Sequence, residues 1–132
     1  MGIFSFFSSA PKKFVTQESF EKNLSSQLAM SPQTVAQLRN LNVTPEKELK
    51  LEFFFYTNTP EKAAALASDL TNKKYKVEHG PSASNKKIQV ITGWTEKIGM
   101  SDANVAAWTK EMCELGFKHD CEFDGWGTNP QQ

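Results

Sequence analysis

Residues 49–57 read Leu-Lys-Leu-Glu-Phe-Phe-Phe-Tyr-Thr, apolar on one alternate set and rich in aromatics, which predicts a strand. Thr59-Pro60-Glu61 then forms a helix start, with Ala63, Leu66, Ala67 and Leu70 at helical spacing behind it. Residues 75–79 predict a short strand, residues 80–85 a turn, and residues 87–94 the returning strand. Ser101-Asp102 caps a helix carrying Val105, Trp108, Met112 and Leu115, expected to stop at Gly116. Residues 117–123 predict a last strand that runs into Asp124-Gly125-Trp126-Gly127-Thr128. Upstream, Thr16 caps a helix with Phe20, Leu24 and Leu28. Ser31-Pro32 opens a second one, with Val35, Leu38 and Leu41, ending near Asn42.

From residue 45 onward the order is β-α-β-β-α-β. Two right-handed crossovers of this kind interleave into a four-stranded antiparallel sheet with both helices on one face. The predicted fold class is therefore α+β, a ferredoxin-like sandwich with extra N-terminal helices. Three segments are expected: a flexible arm over 1–15, a helical extension over 16–44, and the ferredoxin-like domain over 45–132.

Strand alternation assigns the two sheet faces. Leu49, Leu51, Phe53 and Phe55 should point at the helices, as should Ile88, Val90, Phe117, Cys121 and Phe123. Lys50, Glu52, Phe54, Tyr56, Gln89 and Ile91 should point the other way, with Lys118, Asp120, Glu122 and Asp124 as an acidic strip on an edge strand. Two amphipathic N-terminal helices need an apolar surface. They are expected to fold over the open face and bury Phe54, Tyr56 and Ile91; the alternative is that these side chains belong to a partner-binding patch.

Composition narrows the function classes. Fifteen basic and fifteen acidic side chains cancel to a net charge of zero, which gives no attraction for nucleic acid. Cys113 and Cys121 lack metal or disulfide-framework spacing and read as buried thiols in a reducing compartment. No run is long enough to span a bilayer, and the start does not have the pattern of a leader. These readings predict a cytoplasmic protein with no membrane association.

Catalysis requires a nucleophile with its base, an acid and base pair, or a metal. His79 and His119 are the only histidines, and they are expected on strands at opposite edges. Asp120, Glu122 and Asp124 at period two would suit a divalent cation, but alternating carboxylates on an edge strand more often guard against aggregation. Phe54 and Tyr56 meet half of what an RNA-binding sheet needs. No phosphate loop follows the first strand. The expectation is a protein that is not an enzyme and uses neither metal nor cofactor.

Residues 121–128, Cys-Glu-Phe-Asp-Gly-Trp-Gly-Thr, resemble the "EYDGWGT" ending of the regulator of ribonuclease activity B family, with Phe123 in place of the tyrosine. Looser similarity covers the strand at 51–56, the Thr59-Pro60-Glu61-Lys62-Ala63 helix start, and Lys74-Tyr75-Lys76-Val77, which looks like the family's "GYEV" strand. The resemblance implies a bacterial, non-catalytic regulator that binds the endoribonuclease RNase E and restrains its cleavage of RNA. Studied members are acidic and carry a long acidic tail, whereas this chain is neutral and stops at Gln132. The residues expected to contact a protein partner are Asp120, Glu122, Asp124, Trp126, Phe54 and Tyr56. Within the DGWGT segment, Gly125 and Gly127 are expected to adopt dihedrals closed to other residues. Trp126 is either a lid over the core or an exposed contact.

Overall fold

A computed structural model describes residues 12–132 of the chain. Most of the arm expected over 1–15 lies outside the described residues. The described elements run α1 (Gln17–Asn40), β1 (Glu48–Leu49), β2 (Leu51–Thr57), α2 (Pro60–Asn72), β3 (Lys76–Pro81), β4 (Gln89–Trp94), β5 (Ile98–Gly99), α3 (Asp102–Lys118) and β6 (Glu122–Thr128). No described helix is long and apolar enough to cross a membrane.

Strand β2 alternates as its sequence requires. Leu51, Phe53 and Phe55 are fully buried under the helices, while Glu52, Phe54 and Tyr56 are half-buried on the other face. The main sheet has the order β3-β4-β2-β6, every neighbour antiparallel, and β1 pairs with β5 in a small separate ribbon. The result is the α+β sandwich expected, with β2 and β4 central. Thr59 and Ser101 cap α2 and α3, their hydroxyl oxygens accepting from the Lys62 and Asn104 N–H groups.

Each described helix ends in the same way. Val43, Tyr75 and Cys121 donate their N–H groups back to the carbonyls of Leu38, Leu70 and Gly116. The residue before each, Asn42, Lys74 or Asp120, takes a positive φ. These are Schellman closures made without glycine, so each left-handed residue carries a backbone cost of roughly 1–2 kcal/mol.

Four expectations are corrected here. Residues 17–40 form one helix, with Pro32 inside it, rather than two. The buried stripe of α1 runs through Gln27, Ser31, Val35 and Leu38, so two polar residues and a proline interrupt the apolar period that would have marked it as continuous. Ser31 is not a cap: its Oγ accepts from the Trp126 indole and donates to Thr109 Oγ1, which itself donates to the Val105 carbonyl. That relay satisfies every polar group it buries.

Second, α1 does not cover the open face. It lies against α3 and the β6 edge, Phe20 stacking on Phe117 at 4.3 Å between centroids, with Val35 and Leu38 in the common core. Asn23 Nδ2 donates to the Phe123 carbonyl at 2.8 Å, so α1 also occupies part of the β6 edge.

Third, β4 faces the opposite way to the expectation. Ile91 pairs with Phe55 and is buried with Gln89 beneath the helices, and Val90, Thr92 and Trp94 share the open face with Phe54 and Tyr56. Apolar residues on both alternate sets make the parity unreadable from β4 alone; pairing with β2 decides it.

Fourth, α3 passes through Gly116 to Lys118, and the last strand begins only at Glu122. Gly116 is a contact glycine, not a stop: a Cβ there would lie 2.8 Å from the Cys121 carbonyl oxygen and 2.9 Å from the Phe55 ring.

Candidate functional site

The DGWGT segment is part of β6 rather than a turn after it, because residues 122–128 pair with β2. The register slips between Phe54 and Phe55, leaving Asp124 as an extra residue ahead of Gly125. Gly125 has φ 125°, a conformation that L side chains rarely adopt. Gly127 has no such need and open space around it, contrary to expectation.

The bulge has a consequence for packing. Phe123 and Trp126 are an odd number of residues apart, yet both meet inward-facing partners, Phe55 and Phe53. Trp126 packs edge-on to Trp108 at 6.2 Å and stays half-buried. Its exposed part lines a hollow of ≈ 190 Å³ with Gln27, Met30, Thr34 and Asp124. The geometry makes Trp126 a lid that also remains accessible.

Of the six residues singled out from sequence, Phe54, Tyr56 and Glu122 are brought together on the open face, while Asp124, at the bulge, lines the hollow beside α1 with Trp126. Glu122 pairs directly with Tyr56, and Gly125, next to Asp124, pairs with Phe54. Burial pushes the Glu122 pKa up, and the neighbouring Asp124 charge adds to the effect; burial also raises Asp124. Neither carboxylate has an ion-pair partner among the described residues. A carboxylate raised in the folded state costs stability above that pKa, and the cost vanishes below the unfolded value of about 4.3. Glu122→Gln is therefore expected to stabilise the fold at pH 7 by under about 1 kcal/mol. Urea titrations should show the gain disappearing below about pH 4.

Asp120 is not part of that strip, although the sequence placed it there. It sits in the left-handed position after α3 with φ 56°, and its carboxylate turns toward the chain ahead of α1. It accepts from the Phe14 and Val15 N–H groups at 2.7 Å each and from Lys62 Nζ at 2.6 Å. Burial opposes the charge, but the Lys62 and backbone hydrogen bonds, with the Lys62 charge, hold its pKa below the usual aspartate value. Lys62 and Asn58 also donate to the Lys12 carbonyl at 3.1 and 2.9 Å. Residues 12–15 are thus fastened at the end of β2.

The sequence reading missed Lys62 and Asp69. His119 is not on a strand; it caps α3, and its Nε2 lies 2.6 Å from Asp69 Oδ2. The Lys62–Asp120 and Asp69–His119 pairings join residues 58 and 50 positions apart, and no local signal marks them. The nearby thiol is not activated: burial raises Cys121 to about 11 and Cys113 to about 12. Cys121 Sγ faces the His119 carbonyl, not its ring. Among the described residues no three His, Cys, Asp or Glu side chains gather as a metal-binding group.

Fold and site together define a small α+β protein with one sheet face clear of the described helices, Phe54, Tyr56 and Glu122 together on that face, and a bulged edge strand. Protein-family models identify it further. Residues 29–128 match the family described as Regulator of ribonuclease activity B, and the chain belongs to that family. A search of the curated proteins finds no match.

Proposed function

We propose that this protein binds an RNase E-type endoribonuclease and restrains its cleavage of RNA, catalysing no reaction itself. The observation that carries this reading is the family match over residues 29–128. The open face supports it chemically. Phe54 and Tyr56 offer apolar contact area beside Glu122, and Asp124 stands at the bulge of the same strand; neither carboxylate has a counter-charge among the described residues. A segment of the nuclease carrying Arg or Lys next to an apolar side chain would relieve that strain and fill the aromatic surface. Trp126 extends the contact around the β6 edge. Asp120 contributes by holding residues 12–15 rather than by touching the partner. The site of action is the cytoplasm.

The reversed parity of β4 sets Trp94 on the same face as Phe54 and Tyr56, an arrangement that would also suit stacked bases. Carboxylates flank it on both sides, Glu122 on β6 and Glu78 on β3, which repel phosphate. A protein partner is the better fit.

The test adds the purified protein to an RNase E-type nuclease from the same host and follows cleavage of an RNA substrate. Cleavage should slow, and the combined change Phe54→Ala, Glu122→Gln and Asp124→Asn should weaken the effect at least about tenfold, equivalent to ~1.4 kcal/mol. If the nuclease is neither bound nor slowed, the target is wrong. Recovery of a different single partner, lost in the same variant, would make the protein a binding module for that partner instead.

A further inference from the structure

The hollow of ≈ 190 Å³ lined by the exposed part of Trp126 lies between α1 and the β6 bulge. Bulges re-aim side chains, and this one takes Asp124 out of the strand's alternation and sets it against the hollow. No described cation pairs with that carboxylate, and none of the lining residues is basic. The space is smaller than the ~300–1,000 Å³ of small-molecule pockets, a size for one side chain rather than a cofactor.

The free polar side-chain atoms around the hollow are all of one kind. Gln27 is only 5% exposed; its Nε2 donates to Asn23 Oδ1 and to the Phe123 carbonyl, whereas its Oε1 accepts nothing among the described residues. That oxygen lies 3.7 Å from where a Cβ on Gly125 would be, and apart from chain neighbours no other atom comes within 4 Å of that point. The missing side chain at Gly125 therefore leaves Oε1 open to the hollow. Ser31 Oγ is occupied by Trp126 and Thr109. Thr34 Oγ1 donates its hydrogen to the Met30 carbonyl and keeps only lone pairs. A ligand thus meets a carboxylate and neutral acceptors, with no side-chain donor to spare. The rest of the wall is apolar, formed by Trp126 and by Met30, a large hydrophobic side chain left 45% exposed.

We propose that this hollow seats an arginine side chain presented by a protein partner. A guanidinium carries five N–H donors and no acceptor, so it matches a site whose free side-chain atoms all accept. It reaches Asp124 and Gln27 Oε1 together, stacks on the Trp126 indole, and lays its methylenes against Met30. Lysine fits less well, because a compact, strongly hydrated ammonium neither stacks nor forks. Phosphate and carboxylate groups are repelled by Asp124. An arginine seated in a pocket against tryptophan is the kind of contact that carries much of an interface's binding energy. The inference rests on the reading that this chain acts by binding a protein, and not on that protein being a nuclease.

The probe is arginine capped at both ends, N-acetyl-arginine methylamide, titrated into the full chain and followed by NMR. The Gly125 amide, the Trp126 indole N–H and the Met30 methyl signals should shift together and saturate with a Kd of roughly 1–10 mM. The capped citrulline counterpart, which keeps the shape and loses the charge, should bind at least about tenfold more weakly, and so should capped lysine. Asp124→Asn should remove the shifts. Asp124 is exposed and burial already disfavours its charge, so this variant keeps the parent Tm. No saturation by about 50 mM, equal binding of citrulline, or shifts that survive in Asp124→Asn would overturn the proposal. Tighter binding of uncapped arginine would overturn it too, making the hollow a small-molecule site. The nuclease assay separates this inference from the functional reading, since Asp124→Asn alone should weaken inhibition. Inhibition unchanged in that variant would sink the arginine seat and leave the nuclease reading standing. Capped arginine bound as described by a protein that slows no nuclease would support the seat and remove only the nuclease target.

Discussion

Replacing Gly93 with alanine is expected to cost about 3 kcal/mol and to lower Tm by roughly 10 °C. Gly93 lies on the helix side of β4, paired with Phe53 on one neighbour and Val77 on the other. A Cβ there would sit 1.8 Å from the Lys76 carbonyl oxygen, 2.8 Å from its carbon and 3.0 Å from the Phe53 ring. Two of those atoms are backbone, so relief requires β3 to move away from β4 rather than a rotamer change. Edge strand β3 should then loosen first, and hydrogen exchange at Val77 and His79 would speed up more than at Phe55. Gly80→Ala is the natural comparison, because nothing lies within 4 Å of a Cβ at that position. It should stay within about 0.5 kcal/mol of the parent. A Gly93→Ala protein as stable as the Gly80→Ala one would show that β3 does not approach β4 as closely as described.

Asp120→Ala is expected to destabilise the protein by about 2–3 kcal/mol, the second large effect. The substitution leaves the Phe14 and Val15 N–H groups and the Lys62 ammonium without their shared acceptor. Both side chains of the ion pair are mostly covered, 21% and 17% exposed, so water replaces the lost bonds only in part. Alanine also tolerates the left-handed backbone at this position less well than aspartate. Asp120→Asn, which keeps that tolerance and one acceptor oxygen, should fall between. The pH dependence is a separate check. Asp120 has a folded pKa below its ordinary 3.8, so its contribution is fully present at neutral pH and is lost as pH falls through the folded value. Parent and Asp120→Ala stabilities should therefore converge in strong acid. A difference that stays constant down to pH 2 would mean that the carboxylate charge is not what holds residues 12–15.

Several features were legible without coordinates because their causes are local. The alternation of β2, the Thr59 and Ser101 caps, and the Ala63-Leu66-Ala67-Leu70 stripe each follow from residues within one or two turns of one another. So does the element order that fixes the α+β class. The cluster of Phe54, Tyr56 and Glu122 on one face was legible too, since alternation within each strand places them.

Other features depended on partners far away in sequence. The parity of β4 was misjudged because its apolar residues fall on both alternate sets, and only register against β2 selects one. The continuity of α1 through Ser31-Pro32 rests on hydroxyl partners at Thr109 and Trp126, which outweigh the local signal for a new helix start. The role of Asp120 was hidden for the same reason. Three residues from two distant segments converge on its carboxylate, and the turn at His119 and Asp120 removes it from the strand whose spacing it appeared to share. By itself the sequence determined what depends on neighbours along the chain: element types, caps, the family motif, and most of the open-face cluster. Tertiary structure decided which surface α1 covers, which way β4 faces, and which carboxylates are left unpaired, because each is set by contacts between residues tens of positions apart.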